Sequence, residues 1–208
     1  MINKASQLSE KIFDEEVPQK PSRDGYGDGV VAAGEKDPNV VVLCADLKES
    51  TRSLWFEKKF PDRFVEMGVA EQNMAAVAAG MALTGKIPFI SSYAMFSPGR
   101  NWEQIRTTTC YNNANVKIIG AHSGVSVGPD GATHQAVEDM AIMRALPNMT
   151  VVAPCDATEG RKAVIEAAKM YGPVYIRFTR EKTPLFTTDA TPFEIGNAEI
   201  FWRSKKPE

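Results

Sequence analysis

Four side chains carry most of the chemistry this sequence could perform: Glu71, His122, Asp130 and His134. Glu71 stands in FVEMGVAEQNM, residues 64–74. There Phe64, Val65 and Met67 read as a short buried strand, Gly68 permits a sharp turn, and the small residues 70–80 read as a helix. This pattern puts a carboxylate in the first turn of a helix at the carboxyl end of a strand, where open α/β sheets bind ligands. The alternative is a carboxylate that only complements the helix dipole, contributing about 0.3–1 kcal/mol. Both histidines of the chain lie twelve residues apart in AHSGVSVGPDGATHQ, residues 121–135, with Asp130 between them and glycines at 124, 128 and 131. Glycine permits positive φ and close approach of backbone to ligand. Two imidazoles and a carboxylate can move protons and bind hydroxyls near neutral pH. A zinc site on the same three residues is the rival, but the loop lacks compact helical spacing such as HxxxH, and no metal ligands are assigned. A purely structural loop stays open at this point.

The elements that would position these groups alternate along the chain. Residues 40–44, 63–67, 87–93, 116–122, 150–154 and 173–178 are short runs rich in β-branched or aromatic residues and read as strands. Helical patterns cover 23–35, 71–84, 101–110, 136–145 and 156–170. Strands separated by crossover-length helices predict a three-layer α/β/α fold around a mostly parallel six-stranded sheet. Residues 1–21 read as an arm or linker, 22–203 as one α/β domain and 204–208 as a tail, with 193–202 a candidate edge strand. Asp46 and Ser50, Glu71, Ser91 to Phe96, the histidine loop and Arg180 all follow strands. In a doubly wound sheet those strand ends converge on one edge.

Composition excludes several classes. A net charge of −2 and scattered basic residues supply no field for nucleic acid or an anionic membrane. Cys44, Cys110 and Cys155 form no CxxC pair and read as reduced, mostly structural thiols. No apolar run approaches the roughly 18 residues of a membrane span, and the polar N-terminus is no signal peptide, so a cytoplasmic protein is expected. GYGDGVV, residues 25–31, fails as a dinucleotide fingerprint because it precedes a strand. It also fails as a diphosphate–metal motif, since residues 49–58 contain no Asn; Tyr26, Val30 and Ala33 instead share a helix face. Tyr93 and Phe96 could be core or a wall for a flat ring. The nearly all-small helix AAVAAGMA, residues 75–82, suggests close packing, either within the core or across a subunit boundary.

Taken together, GVAEQNM, SSYAMF, GVSVGPDGATHQAVEDMAIMRALPNMTVVAPCD and GPVYIRFTR resemble, in order and spacing, the pyrimidine-binding domain of transketolases. The resemblance spans roughly residues 23–202 and is nearest to transketolases divided between N- and C-terminal subunits. It implies thiamine diphosphate as cofactor, with Glu71 on N1′ of the aminopyrimidine, and Tyr93, Phe96 and Asp46 in the cofactor pocket. It places His122 and His134 near the reacting carbon and substrate hydroxyls, Asp130 on the donor's hydroxyl configuration, and Arg23, Ser50 and Arg180 on the sugar phosphate. It further implies a diphosphate-binding partner subunit that holds the magnesium or calcium ion, a homodimer within a hetero-oligomer, and a C-terminal domain that could be a separate subunit. One departure is that Ser97-Pro98-Gly99 replaces a further pocket aromatic. The expected activity is transfer of a two-carbon ketol unit from ketose phosphate to aldose phosphate. A deoxyxylulose-phosphate synthase, a 2-oxo acid dehydrogenase subunit and a non-catalytic assembly subunit are the alternatives.

Overall fold

The computed structural model describes residues 1–204. The chain runs β1 (Gln19–Pro21), α1 (Ser22–Lys36), β2 (Val40–Cys44), α2 (Lys48–Thr51), α3 (Ser53–Lys59), β3 (Phe64–Glu66), α4 (Glu71–Leu83) and β4 (Ile87–Tyr93). It continues through α5 (Trp102–Gln104), a π-helical turn (Ile105–Cys110), β5 (Lys117–Ala121), α6 (Asp139–Arg144), β6 (Thr150–Val152), α7 (Ala157–Lys169), β7 (Val174–Arg177) and β8 (Lys182–Pro184). Six strands form one parallel sheet in the order β3-β2-β4-β5-β7-β6. Helices flank it, as the strand–helix alternation predicts.

Period-two alternation sorts the central strands between two cores. Val41, Leu43, Ile90 and Ile118 face Met74, Ala75 and Ala78 of α4 together with Ile105 and Met143. Val40, Val42, Phe89 and Ile119 face Tyr26, Val30 and Ala33 of α1 and Ala163, Val164 and Ala167 of α7. Burial on both faces explains why β2 is an uninterrupted apolar run. The glycines of GYGDG serve packing: a Cβ at Gly25 would collide with the Ala157 carbonyl, and one at Gly29 would lie 2.8 Å from Val164 Cβ. The α1–α7 seam therefore closes only around glycine. At the other end of α7, the buried Lys117 ammonium donates to Met170 O (2.8 Å), Gly172 O (2.7 Å) and Asn115 Oδ1 (2.7 Å). Those acceptors compensate a charge whose burial pushes the lysine pKa down to about 7.

Three expectations need correction. The stretch 193–202 adds no strand to the sheet; it makes only an isolated bridge, Ile2 to Trp202. The N-terminal arm is bonded to the rest of the chain. Its β1 pairs antiparallel with β8, Ser9 N donates to Phe186 O, and Asn3 N donates to Phe201 O. The helix expected over 136–145 shortens to α6, because residues up to Ala136 still belong to the histidine loop, where Gly124 N donates to Ala136 O. The helix expected over 101–110 is α-helical only at Trp102–Gln104 before widening into the π turn. Of the tail placed at 204–208, all but the first residue lies outside the described residues.

Candidate functional site

The connection β2→β3 moves outward, whereas β4 returns to the opposite side of β2, so the topology switches between β2 and β4. Crevices at such points, beyond the carboxyl ends of the strands, are where this class of sheet holds ligands. Asp46, Glu71 and the Tyr93–Phe96 turn all stand there. Backbone conformation is unusual in the same place: Asp46 (φ 56°), Arg52 (φ 76°) and His122 (φ 56°) adopt left-handed φ without being glycine. Each such residue costs about 1–3 kcal/mol, a cost tolerated chiefly where function requires the geometry.

Glu71 opens α4, and its side chain is only 4% exposed. Its carboxylate lies 3.4 Å from Arg100 Nη1 through both oxygens. Asn101 Nδ2 donates to Glu71 O (3.1 Å) and to Ser97 Oγ (3.1 Å), fixing the helix start against the loop after β4. A cleft of about 510 Å³ borders Glu71, Gln72, Asn73 and Arg100. A recess of about 170 Å³ joins Glu71 to Asp46, Phe96 and Arg100. Asp46 is held by its own backbone N–H, which donates to Glu66 Oε1 (2.8 Å).

An aromatic wall continues from Phe96. Tyr93 and Phe96 lie near-parallel with ring centroids 5.9 Å apart, and Tyr93 stacks on His122 at 3.9 Å. His134 meets the edges of both aromatics, at 6.2 Å and 5.3 Å. The two histidines of one glycine-rich loop thus meet the same pair of rings. Gly124, Gly128 and Gly131 all take positive φ (78°, 81° and 74°), as the sequence requires of that loop. Arg177 secures its base, donating from Nε to Asp139 Oδ2 (2.9 Å) and from Nη2 to Ala136 O (3.3 Å).

His122 is 1% exposed and lies 2.9 Å from Arg23 Nη1 through Nε2. Because a guanidinium can only donate, Nε2 accepts and the imidazole proton is assigned to Nδ1. Burial first, then the Arg23, Arg180 and Arg52 charges, hold the imidazole pKa down at about 3. It is neutral at physiological pH. Arg23 also donates to Ser50 O (3.0 Å), so α1 grips the turn after β2. Burial and the neighbouring Arg52 lower the Arg23 pKa in turn. Among the described residues, the buried donors Arg23 Nε and His122 Nδ1 have no hydrogen-bond partner. Both are therefore free to meet an external acceptor.

Arg180 pairs with Glu181 (2.7 Å) and acts electrostatically on both Arg23 and His122, so it belongs to this cationic end. Asp130 is exposed on the loop and is not among the side chains seen touching the cluster. The structure thus gathers Glu71, Tyr93, Phe96, His122, His134, Arg23, Ser50, Asp46 and Arg180, and leaves Asp130 at the rim. Three participants escaped sequence reasoning. Arg52 and Asp24 form an ion pair (2.7 Å) that flanks Arg23, and Arg100 pairs with Glu71. No sequence motif distinguishes these from ordinary surface charges.

The family model described as the transketolase pyrimidine-binding domain matches residues 19–185. A Methanocaldococcus jannaschii protein described as a transketolase C-terminal section is 49% identical over 87% of this chain and 58% of its own length. A 6-deoxy-6-sulfo-D-fructose transketolase subunit of Clostridium sp. strain MSTE9 is 36% identical over 90% of this chain and 58% of its own. The chain therefore spans less than two thirds of these relatives. A solved structure described as a split gene transketolase, inactive beta4 tetramer, superposes with a TM-score of 0.81 at 45% identity, covering 90% of this chain and 61% of that one.

Proposed function

This chain belongs to the family of transketolase pyrimidine-binding domains, and we propose that it forms the pyrimidine-binding part of a transketolase whose diphosphate site lies on a separate subunit. The observation that carries this reading is Glu71: a nearly buried carboxylate aimed into a cleft at the sheet's switch point, with a ring-lined recess beside it.

The residues present fit the aminopyrimidine end of thiamine diphosphate. Glu71 would hold a proton at N1′, and Phe96 and Tyr93 would face the ring, a contact that gains about 0.5–1.5 kcal/mol beyond area burial. Asp46 would border it through the shared recess. When bound, the cofactor supplies a nucleophilic carbon and an electron sink for ketose cleavage. The rest falls to this chain's own groups. Neutral His122 presents Nδ1–H to a substrate oxygen while Arg23 fixes the opposite nitrogen. His134 meets the edges of the same aromatic pair, and it would serve as a second proton carrier. Arg23 and Arg180, with the Ser50 turn, form the cationic end for a sugar phosphate, for which guanidinium forks are suited. Asp130 at the rim would read the donor's hydroxyl configuration.

The diphosphate and its magnesium or calcium ion would be held by the partner subunit. The outer face of α4 supports a close neighbour: Gln72, Asn73, Ala76, Val77 and Gly80 are exposed on the helix that Glu71 opens. A second subunit resting there would complete the cleft. Homodimerisation within a hetero-oligomer, and a separate C-terminal-domain subunit, belong to the same reading. Two relatives are named as subunits, and the split-gene neighbour is described as an inactive tetramer, which supports a chain that needs its partner.

The test is reconstitution with a diphosphate-binding subunit. Glu71→Ala is expected to lower ketol transfer by about 10²–10⁴, the contribution of a positioned acid–base group. This chain alone is expected to show no turnover. Near-normal turnover of Glu71→Ala at saturating cofactor, or use of pyruvate rather than ketose phosphate as donor, would refute the reading.

A further inference from the structure

Arg100 pairs with the same two groups that the proposed cofactor ring would use. Its Nη1 lies 3.4 Å from both oxygens of Glu71, and its guanidinium carbon lies 4.6 Å from the centroid of Phe96. It lines both the cleft and the recess. We propose that Arg100 is a stand-in for the aminopyrimidine, covering Glu71 and Phe96 when the cofactor is absent and thereby setting the affinity for thiamine diphosphate. This inference rests on the function proposed above and names a residue beyond those the resemblance assigns.

The physical case is one of matched shape and charge. A guanidinium is a flat, delocalised cation that favours both a carboxylate and an aromatic face. Glu71 is nearly fully buried, so its carboxylate without a partner would be costly in the empty site. Arg100 relieves that cost from outside: its own side chain is 52% exposed, so it can swing into water on a flexible stem. Its backbone neighbourhood is firm, since Asn101 is fully buried and bonded to both Glu71 and Ser97. Ring and guanidinium cannot share Glu71 and Phe96 in this arrangement, so bound cofactor requires Arg100 displaced. Apparent affinity is then reduced by the fraction of molecules in which Arg100 has already left.

The experiment measures calorimetric affinity for thiamine diphosphate in the complex of this chain with its diphosphate-binding partner, for the wild type, Arg100→Gln and Arg100→Met. Magnesium pyrophosphate, which has no ring, is the second probe. Both variants are expected to bind thiamine diphosphate about 3- to 10-fold more tightly, the scale of one exposed ion pair plus one cation–π contact. Magnesium pyrophosphate affinity should not change. The melting temperature of the cofactor-free chain should fall in both variants, while that of the loaded complex should not. Unchanged or weaker thiamine diphosphate binding, or equal tightening for both probes, would overturn the inference. Glu71→Gln in the same assay separates the two readings. If it leaves cofactor affinity and turnover intact, the proposed function fails. If it impairs them and the Arg100 variants show no tightening, only the stand-in role fails.

Discussion

Asp156 offers a stringent test of how the domain is held together. It is fully buried and caps α7, with Oδ1 accepting from Glu159 N (2.9 Å) and Thr187 Oγ1 (2.7 Å). Its Oδ2 accepts from Phe186 N (3.0 Å) and Thr187 N (2.8 Å). Asp156→Ala removes a helix cap, at about 0.5–2 kcal/mol. It also strands donors of the 186–187 segment, of which Thr187 is buried, at about 1–3 kcal/mol. The expected loss is about 3–4 kcal/mol, a large part of the 5–15 kcal/mol typical of a domain. Asp156→Asn sharpens the argument. Whichever way the amide turns, its NH₂ faces at least one backbone N–H, Glu159 N on one side or Phe186 N and Thr187 N on the other, so this near-isosteric change should destabilise about as much as alanine. Asp156→Ser, which can restore only the cap, should recover about 1 kcal/mol relative to alanine. Urea denaturation followed by circular dichroism measures all three, with the slope unchanged if the transition stays two-state. Thermal midpoints should fall by roughly 2–4 °C per kcal/mol for a chain of this size. An asparagine variant within 1 kcal/mol of wild type would show that the four hydrogen bonds do not set this junction.

Two further outcomes follow from the site and the seam. The His122 pKa is depressed to about 3 in the fold, below its unfolded value near 6.5, so the folded state binds fewer protons than the unfolded state between those values. Stability should therefore rise with pH across that window and fall on acidification by about 1.4 kcal/mol per pH unit. Comparing the wild type with His122→Gln in urea between pH 5 and 6.5, where most carboxylates stay ionised, should remove most of that slope; equal slopes would show that the imidazole is not responsible. Gly25→Ala should destabilise by about 2 kcal/mol or more through collision with the Ala157 carbonyl, whereas Gly80→Ala, whose Cβ meets nothing within 4 Å, should be neutral or slightly stabilising. A pair of thermal melts decides it, and equal effects would contradict the packing account.

The sheet was legible from the chain because burial on both faces demands runs such as VVVLC, which leave a signal without any partner in view. Glu71 and the histidine loop were legible for a related reason: glycine and small residues beside polar ones are an unusual use of sequence. The clasp of β1 on β8 was not, since QKP and KTP carry neither alternation nor β-branched runs, and their pairing depends on a partner more than 160 residues away. The edge strand expected at 193–202 fails because this stretch bonds to the N-terminal arm, with Asn3 N donating to Phe201 O, and joins neither edge strand, β3 or β6. Arg100 was invisible because nothing in an isolated arginine after a glycine says which carboxylate it will meet. Asp130 shows the converse: its place in the motif is clear, but the folded chain leaves it at the rim.

Because Asn3 donates to Ile200, Ser9 to Phe186 and Leu185 to Pro18, residues 3–18 are tied to a segment more than 160 positions further along, and the clasp closes only when both are present. Anything that cuts or displaces one end also releases the other. Since the 186–187 stretch it binds hangs from Asp156 at the head of α7, slackening there would be felt along α1, which begins directly after β1 and carries Arg23.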